Sequence, residues 1–322
     1  MPVSEATSTP SLVQRGKAMS KKLKVGLQLS VGGLGDKSFN DSAYEGLERA
    51  QEEFGIEFDT AAWENPMLNA NTLDEWAKAG YDLIVGVGYG NAAPINEVAA
   101  QHPDKRFALV DVAGEGNNVW SATYREYEGD FVVGVLAGLI TQTQMVGFIG
   151  GGVTPIVRRI ELGFARGVEN VDPSISFISD YVGEFDDPIR GRLLAETQYT
   201  LGVDVIYQVA GRCGLGAIEA ANEFDKWIIS TGSDHSDLAP NAVLTSRIKN
   251  VGKAVYDVIR ATMEDKFEGG VNSYGFAEGG LTLAPVRPSV FKVVTPAIQN
   301  IMQEIQAQVI TGQIHVDLEE ET

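Results

Sequence analysis

The sequence predicts an α/β fold in which two doubly wound lobes with parallel sheets follow one another along the chain. Short apolar strand patterns alternate with helix-start signals, and the pattern of the first half recurs in the second. The 36 glycines suit a fold with many tight strand-to-helix turns. With 322 residues, 44% of them hydrophobic and 21% charged, the chain is long enough for two lobes with buried cores.

The elements of the first half follow from residue periodicity. Residues 22–30 (KLKVGLQLS) alternate apolar and other side chains as a strand does, and a glycine-rich turn follows. Apolar side chains then recur at helical spacing from Phe39 to Phe54, and Ser38 with Asp41 has the spacing of a capping box. The other predicted elements of this half are a strand at 82–87, a helix from about Asn91 and a strand at 106–111.

The second half repeats this order. Residues 145–150 (MVGFIG) have a strand pattern, and a helix is expected to begin at Thr154-Pro155, a capping residue followed by proline in the first helical position. The remaining predicted elements are a strand at 174–182, a helix that begins at Asp187-Pro188, and buried parallel strands at 203–208 and 226–230.

Charge and composition exclude several classes of partner and site. The formal net charge of −19 argues against nucleic acid and against an anionic membrane surface, which both require clustered positive charge. Cys213 is the single cysteine, so neither an intrachain disulfide nor a thiolate metal cluster is possible, and we expect a buried or half-buried thiol. The three histidines are far apart and show no HExxH spacing. We therefore expect no metal and no cofactor.

Glycine clusters follow several predicted strands, but none fits a nucleotide-binding motif. Neither the GxGxxG nor the GxxxxGK[ST] pattern is present, so tight turns are the favoured interpretation. No GxSxG elbow or other nucleophile motif occurs, and the sequence shows no catalytic constellation. The clusters are Gly32, Gly33 and Gly35; Gly86, Gly88 and Gly90; and Gly211, Gly214 and Gly216.

Neither end of the given sequence shows the pattern of a targeting signal. No run of about 18 apolar residues occurs, and residues 1–21 are polar and lack the apolar core of a signal peptide. We expect a disordered arm there, and either a cytoplasmic protein or one from which an export signal was removed. The acidic tail at 317–322 is expected to be solvated.

The cleft between the lobes is the expected ligand site, because ligands of open parallel sheets bind outside the carboxyl ends of the strands. Asp111 ends a strand, where a turn or cap role and a role as ligand acceptor both remain open. Phe39 and Phe185 either stack on a flat ligand or pack in the core. The residues that follow strands are Ser30, Gly88, Tyr89, Asp111, the 183–185 turn, the 210–212 turn and Gly232.

Motifs along nearly the whole chain, from about Lys22 to Gly312, resemble those of one family. The sequence is similar to the basic membrane protein family, the purine nucleoside receptor type of ABC-transporter substrate-binding lipoproteins. The motifs that carry the resemblance are DKSFN at 36–40, AYEG at 43–46, AGYDLIVGVG at 79–88, FALVD at 107–111, VGFIGG at 146–151, GEFDDP at 183–188, DVIYQVAG at 204–211, VLTS at 243–246, AVYDVI at 254–259 and EGGLTLAP at 278–285.

The resemblance implies a type 1 periplasmic-binding fold, in which two Rossmann-like lobes are joined by three crossovers. These would lie near residues 123–126, 238–242 and 275–278. The N-terminal lobe would then contain residues 22–123 and 242–275, and the C-terminal lobe residues 126–238 and 278–322, with the ligand cleft between them.

The resemblance also implies the site. Two aromatic residues that match Phe39 and Phe185 sandwich the base, Asn40 and Asp111 match residues that contact the base, and Lys249 matches a lysine that contacts the ribose. Together with the residues after strands, the predicted ligand-binding set is Ser30, Phe39, Asn40, Asp111, Phe185, Gly211, Arg212, Gly232 and Lys249.

Two departures from the family pattern remove carboxylates that bind the ligand. Ser30 stands where the family has an aspartate before the glycine turn, and Gly232 stands at the first position of its Asp-Ser-Asp motif. Hydrogen bonds to a charged group are worth about 1.5–3 kcal/mol each, so both losses weaken ribose binding unless Asp234 or water replaces them. Arg212 either adds a guanidinium to the cleft or is a solvated loop residue.

We expect a non-catalytic solute-binding receptor that traps a nucleoside, a nucleobase or a similar flat heterocycle by hinge closure. Its partners would be this small molecule and an ABC permease, with no nucleic acid, and the receptor would be a monomer. It would be an extracytoplasmic lipoprotein if an export signal was removed. Two alternatives stay open, a cytoplasmic ligand-sensing regulator on the same fold and an enzyme such as a nucleoside hydrolase or an oxidoreductase.

Overall fold

A computed structural model of the protein describes residues 22–316 and Leu318. Twelve strands and nine α-helices occur in this part of the chain. The expectations of a disordered arm at 1–21 and of a solvated tail at 317–322 lie outside the described residues, apart from Leu318.

Strands and helices alternate along most of the chain. The strands are β1 (Lys24–Gln28), β2 (Glu57–Ala61), β3 (Leu83–Val87), β4 (Arg106–Val110), β5 (Val119–Tyr124), β6 (Met145–Gly150), β7 (Ser176–Tyr181), β8 (Val205–Val209), β9 (Trp227–Gly232), β10 (Val243–Lys249), β11 (Gly270–Tyr274) and β12 (Leu281–Leu283). The helices are α1 (Phe39–Phe54), α2 (Pro66–Lys78), α3 (Ala92–Gln101), α4 (Glu126–Ile140), α5 (Pro155–Val171), α6 (Pro188–Leu201), α7 (Cys213–Glu223), α8 (Val251–Met263) and α9 (Pro296–Ile310).

The strands form two six-stranded sheets, which define a first and a second lobe. The first sheet has the order β11-β5-β4-β3-β1-β2 and is parallel throughout. The second has the order β12-β10-β9-β8-β6-β7, and β12 alone among these strands runs antiparallel to its neighbour. The predicted α/β class with two largely parallel sheets is confirmed.

The chain passes between the lobes three times. It crosses at Arg125, between β5 and α4, then at Asn250, between β10 and α8, and finally after Tyr274, between β11 and β12. The predicted second crossover at 238–242 is wrong, because β10 pairs with β9 in the second sheet. Residues 243–249 therefore do not belong to the lobe predicted as 242–275. The apolar VLTS run indicates a buried strand, but it carries no information about which sheet that strand joins.

Local capping confirms two predicted helix starts, and a third helix starts at Phe39 as predicted but without the predicted capping box. Thr154 Oγ1 accepts a hydrogen bond from Val157 N at 3.2 Å, and Asp187 caps α6 in the same way. At α1, however, the Ser38 side chain makes no capping hydrogen bond, so the predicted capping box is not formed. The Asp36 carboxylate instead accepts from the backbone N–H groups of Ser38 and Asn40, at 2.9 and 2.8 Å.

Helix α4 lies in the interior of the second lobe. Thirteen of its 15 residues are buried, and it packs along α5. Gly134 and Gly167 make this approach possible, since a Cβ on either glycine would collide with the backbone of the opposite helix. Among the described residues, no helix is long and apolar enough to cross a membrane.

Candidate functional site

A cavity of about 340 Å³ lies between the lobes, at the carboxyl ends of the strands. Turns that follow β1, β3 and β4 form its wall on the first lobe. Residues at or after the ends of β8, β9 and β10, together with the first turn of α5, form its wall on the second lobe. Small-molecule sites have volumes of roughly 300–1,000 Å³, so the space fits a compact organic ligand.

Eight of the nine predicted ligand-binding residues line this cavity, and Asn40 does not. Gly88 and Tyr89, which also follow a strand, line it as well. The eight are Ser30, Phe39, Asp111, Phe185, Gly211, Arg212, Gly232 and Lys249.

Two half-buried phenylalanine rings face the cavity from opposite lobes. Phe39 begins α1, and Phe185 lies in the turn between β7 and α6. Gly151 and Gly152 provide the space for the Phe185 ring, since a Cβ on either glycine would overlap it. Neither ring pairs with another aromatic ring in the part of the chain that the structure describes. Both rings are thus available to a ligand.

Asn40 uses its side chain to hold the turn that precedes α1. Its Oδ1 accepts a hydrogen bond from Ser30 N at 2.8 Å, and its Nδ2 donates to Asp36 Oδ2 at 2.9 Å and to Val31 O at 3.2 Å. The amide therefore spends its hydrogen bonds within the first lobe. The expectation that Asn40 contacts the ligand does not match this geometry, in which Asn40 positions Ser30.

Lys249 joins the two lobes at the hinge side of the cavity. Its ammonium pairs with Asp111, which follows β4 of the first lobe, and with Glu126 Oε1 of α4 at 2.9 Å. Arg159 binds the other oxygen of Glu126, also at 2.9 Å. Burial disfavours the charged ammonium, but the two carboxylates outweigh it and raise the pKa of Lys249. The lysine therefore stays charged beside the Phe39 ring, whose centroid lies 5.5 Å from Nζ.

Asp111 has a backbone conformation that few non-glycine residues adopt. Its φ is +97°, in the region that favours glycine. Burial raises the pKa of Asp111, while the charge of Lys249 opposes that rise. Strained residues of this kind are concentrated at binding sites, where neighbouring contacts hold them in place. Here the contact is the ion pair with Lys249.

A second buried ion pair involves a residue two positions before Lys249 on β10. Its residues were not among the predicted site residues. Arg247 Nε donates to Asp130 Oδ1 at 2.9 Å, and the Tyr207 hydroxyl donates to the same oxygen at 2.6 Å. Arg247 is 2% exposed and Asp130 is fully buried. Burial raises the pKa of Asp130 to about 6, although the Arg247 charge counteracts it. Arg247 also lines the cavity.

The two ion pairs form a ladder between α4 and β10. Glu126 and Asp130 are four residues apart on a helix, a rise of about 6 Å, while Arg247 and Lys249 are two residues apart on a strand, about 6.6 Å. These spacings match, so each of the two carboxylates on α4 meets one cation of β10. The period of two in the sequence RIK was the signal that could have placed Arg247 beside Lys249 on the same face of the strand.

Two contacts join the lobes on the side of the cleft formed by the turn before α1. The first is from His235 of the second lobe, whose Nε2 lies 2.8 Å from Lys37 O. The Nδ1 atom of the same ring lies 2.6 Å from Ser230 Oγ within the second lobe. Gly232 lies against Ser38, since an added Cβ would collide with Ser38 Oγ. Burial lowers the pKa of His235, which favours a neutral ring that donates from Nε2 to the carbonyl of Lys37. The lobes are therefore in contact across the cleft.

Arg212 lies at the rim of the cleft, and Asp234 does not replace a missing carboxylate. Arg212 is 40% exposed at the rim of the cavity and forms an ion pair with Asp186 at 2.8 Å. Asp234 accepts from the backbone and hydroxyl of Ser236 and pairs with Arg287. Asp234 does not line the cavity, so it does not take the place left by Gly232.

The single cysteine has a structural position, as predicted. Cys213 is buried at the start of α7, and its Sγ accepts a hydrogen bond from Asp187 N at 3.2 Å. Burial raises the pKa of the thiol to about 11, so it stays protonated. Among the described residues, no group of three or more histidine, cysteine or acidic side chains could hold a metal ion.

Comparisons with known proteins agree on one family. The family model described as "ABC transporter substrate-binding protein PnrA-like" matches residues 23–319. A CD4+ T-cell-stimulating antigen of Listeria innocua is 33% identical, over 89% of this chain and 87% of the relative. An ABC transporter nucleoside-binding protein, BmpA, of Lactococcus lactis subsp. cremoris is 31% identical, over 91% and 89%.

A solved structure shows the same architecture. It is that of an ABC transporter system solute-binding protein from Aeropyrum pernix K1, with a TM-score of 0.84 and 28% identity, and the match covers 93% of this chain and 94% of that one.

Proposed function

This chain belongs to the Bmp family of PnrA-like ABC transporter substrate-binding proteins, and we propose that its cleft binds a nucleoside, a nucleobase or a similar flat heterocycle. The protein binds a solute for an ABC transporter. A member of the same family from Lactococcus lactis is named as nucleoside-binding, which supports this choice of ligand class.

One observation carries the proposal. Phe39 and Phe185 come from different lobes, line the same cavity, and leave their rings unpaired with other aromatic rings among the described residues. A flat ring between them gains about 0.5–1.5 kcal/mol per stacked pair beyond its burial. Because one ring belongs to each lobe, stacking on both also favours the closed arrangement.

The cavity is less suited to the ribose of a nucleoside than to its base. Lys249 is the group that we propose contacts a ribose, but its ammonium already binds Asp111 and Glu126. Ser30 and Gly232 offer no carboxylate to ribose hydroxyls. We therefore propose that the base provides most of the affinity and that free bases bind nearly as well as nucleosides.

We propose further that the receptor is a monomer that works outside the cytoplasm, anchored as a lipoprotein, and that it passes its ligand unchanged to a permease. Family membership supports the permease as partner. The absence of a nucleophile motif in the sequence supports a role without catalysis.

A thermal-shift panel with ligand-stripped protein tests the proposal. The probes are nucleosides, free bases, flavins and sugars, and a ligand at about 100 times its Kd adds some 2.7 kcal/mol of stability. Nucleosides and bases should raise Tm, and chromatography after incubation should recover them intact. A shift with sugars alone, or a converted nucleoside, would contradict the proposed function.

Variants of the two rings identify the mode of binding. Phe39→Ala and Phe185→Ala should each weaken binding of the strongest probe by about 1–3 kcal/mol. Phe291→Ala is the matched control, because Phe291 is 41% exposed and does not line the cavity. Unchanged affinity in both cavity variants, with folding intact, would rule out the sandwich.

A further inference from the structure

We propose that Arg247 is a specificity-determining ligand contact, which donates hydrogen bonds to an oxo group on the bound heterocycle and so selects oxo bases over amino bases. This inference deepens the proposed function and rests on it. It concerns a residue that lines the same cavity as Phe39 and Phe185 and that the resemblance to the family did not point to.

The first support is the state of the guanidinium. Arg247 is 2% exposed, yet its only hydrogen-bond partners among the described residues, Asp130 and Tyr207, are both reached through Nε. The two Nη groups donate to no described residue. Asp130 Oδ2 is a fully buried atom without a partner among the described residues, whereas the two Nη groups of Arg247 are not fully buried. Because Arg247 lines the cavity, the open space beside these two groups is the ligand space.

The second support is the chemistry of the side chain. A guanidinium offers only donors, so the ligand edge that faces it must present acceptors. An exocyclic oxo group meets this need, and a planar fork fits a planar ring edge, as arginine does with the O6 and N7 atoms of guanine. An exocyclic amino group would place donor against donor and leave the buried guanidinium unpaired.

The third support is charge balance, which favours a neutral ligand over a phosphate. The ladder and its direct ion-pair partners contain three cations and three carboxylates. The cations are Arg247, Lys249 and Arg159, and the carboxylates they contact are Asp130, Asp111 and Glu126. Three charges of each sign leave no net positive charge for a phosphate dianion. A neutral oxo heterocycle satisfies the free donors without adding a buried charge.

The fourth support is rigidity. Asp130 sits on the buried helix α4 and is bound by the Tyr207 hydroxyl as well as by Arg247. The guanidinium is thus held before the ligand arrives, which lowers the entropy lost on binding and sharpens selection between similar ligands.

The test measures affinities of full-length, ligand-stripped protein by calorimetry for probes in matched pairs. Inosine and adenosine differ at an oxo and an amino position of a purine, and uridine and cytidine differ in the same way in a pyrimidine. Inosine 5′-monophosphate adds the phosphate arm. Arg247→Lys keeps the charge opposite Asp130 but loses the fork, and the double variant Asp130→Asn/Arg247→Met removes both buried charges together. Arg260→Met, on the surface of α8 outside the cavity, is the control.

We expect the wild type to bind the oxo member of at least one pair about tenfold or more tightly, as sites built to bond a polar ligand group do. Both Arg247 variants should lose most of this preference, while Arg260→Met keeps it. If the wild type and the Arg247 variants show the same ratio of oxo to amino affinities, the inference is wrong, while the proposed function stands. Tighter binding of the monophosphate than of inosine would also overturn it. Failure of every probe to bind would refute the proposed function, and the inference with it.

Discussion

The two walls of the cavity carry polar side chains of very different availability. On the first lobe, Asp36 and Asn40 bind each other and the backbone of their own turn, so they hold the wall in shape. On the second lobe, Arg247 lines the cavity and has two donor groups that no residue in the described part of the chain accepts from. A place near the cavity is therefore not enough to make a residue a ligand contact, because its existing hydrogen bonds decide whether it can bind a ligand.

The largest predicted effect is a loss of folding stability on the second-lobe side of the cavity, in a variant of Asp130. Asp130→Ala leaves the Arg247 charge buried without its carboxylate, and losing one partner of a buried pair costs about 3–5 kcal/mol. Denaturant unfolding should show this loss. The double variant Asp130→Asn/Arg247→Met, which leaves no unpaired charge, should lose clearly less. A double variant less stable than the single one would contradict the account of the ladder.

The next effect concerns the first-lobe wall, where Asp36 is a structural residue. Asp36→Ala should lower the free energy of unfolding by about 1.5–3 kcal/mol, since a buried carboxylate that accepts several N–H groups is lost. Asp41→Ala is the matched control, because Asp41 accepts from Gly35 and Lys37 in an exposed setting. Equal losses in the two variants would mean that the burial of Asp36 carries no stability.

Contact between the walls can be tested at Gly232. Gly232→Ala places a Cβ against Ser38 at a φ of +92°, which costs about 1–2 kcal/mol in backbone energy and also opposes closure. Gly183→Ala shares this φ but has open space around its Cβ. We expect weaker ligand binding for the first variant than for the second. Equal affinities would show that the contact between Gly232 and Ser38 does not hold the lobes together.

The smallest predicted effect is a pH dependence of closure through His235. Burial keeps its pKa in the folded chain below the ordinary value of 6.5, so the neutral ring is the favoured form. The stabilisation is present above pH 6.5 and is lost as the pH falls through the lowered pKa. Ligand affinity should therefore fall on acidification, and it should fall less in His235→Gln. Identical pH profiles would exclude His235 as the cause.

The sequence predicted elements well where their pattern is local. Strands such as β1, β6 and β8 are short apolar runs next to glycine turns, and Thr154 and Asp187 mark helix starts by capping chemistry. Helix α4 gave no signal, since a helix apolar on nearly all sides lacks the periodicity of a surface helix. Edge strand β2 is largely exposed and has no apolar run.

The site was predictable to the extent that it lies after strands. The sequence pattern singled out Phe39 and Phe185, the resemblance gave them a role and added Lys249, and all three line the cavity. The partner of Arg247 could not be foreseen, because Asp130 is 117 residues away in the sequence. The role of Asn40 could not be foreseen either, because it depends on how the turn before α1 folds back on Ser30. The sheet of β10 likewise depends on its pairing with β9.

A crystal structure of the protein with its strongest-binding oxo nucleoside or base tests the central claim most directly. The account predicts the ring between Phe39 and Phe185, an oxo oxygen within hydrogen-bond distance of an Arg247 Nη group, and unchanged hydrogen bonds of Asp36 and Asn40. A ligand that lies outside the two rings, or that is bound through Asn40 while Arg247 stays unpaired, would contradict it.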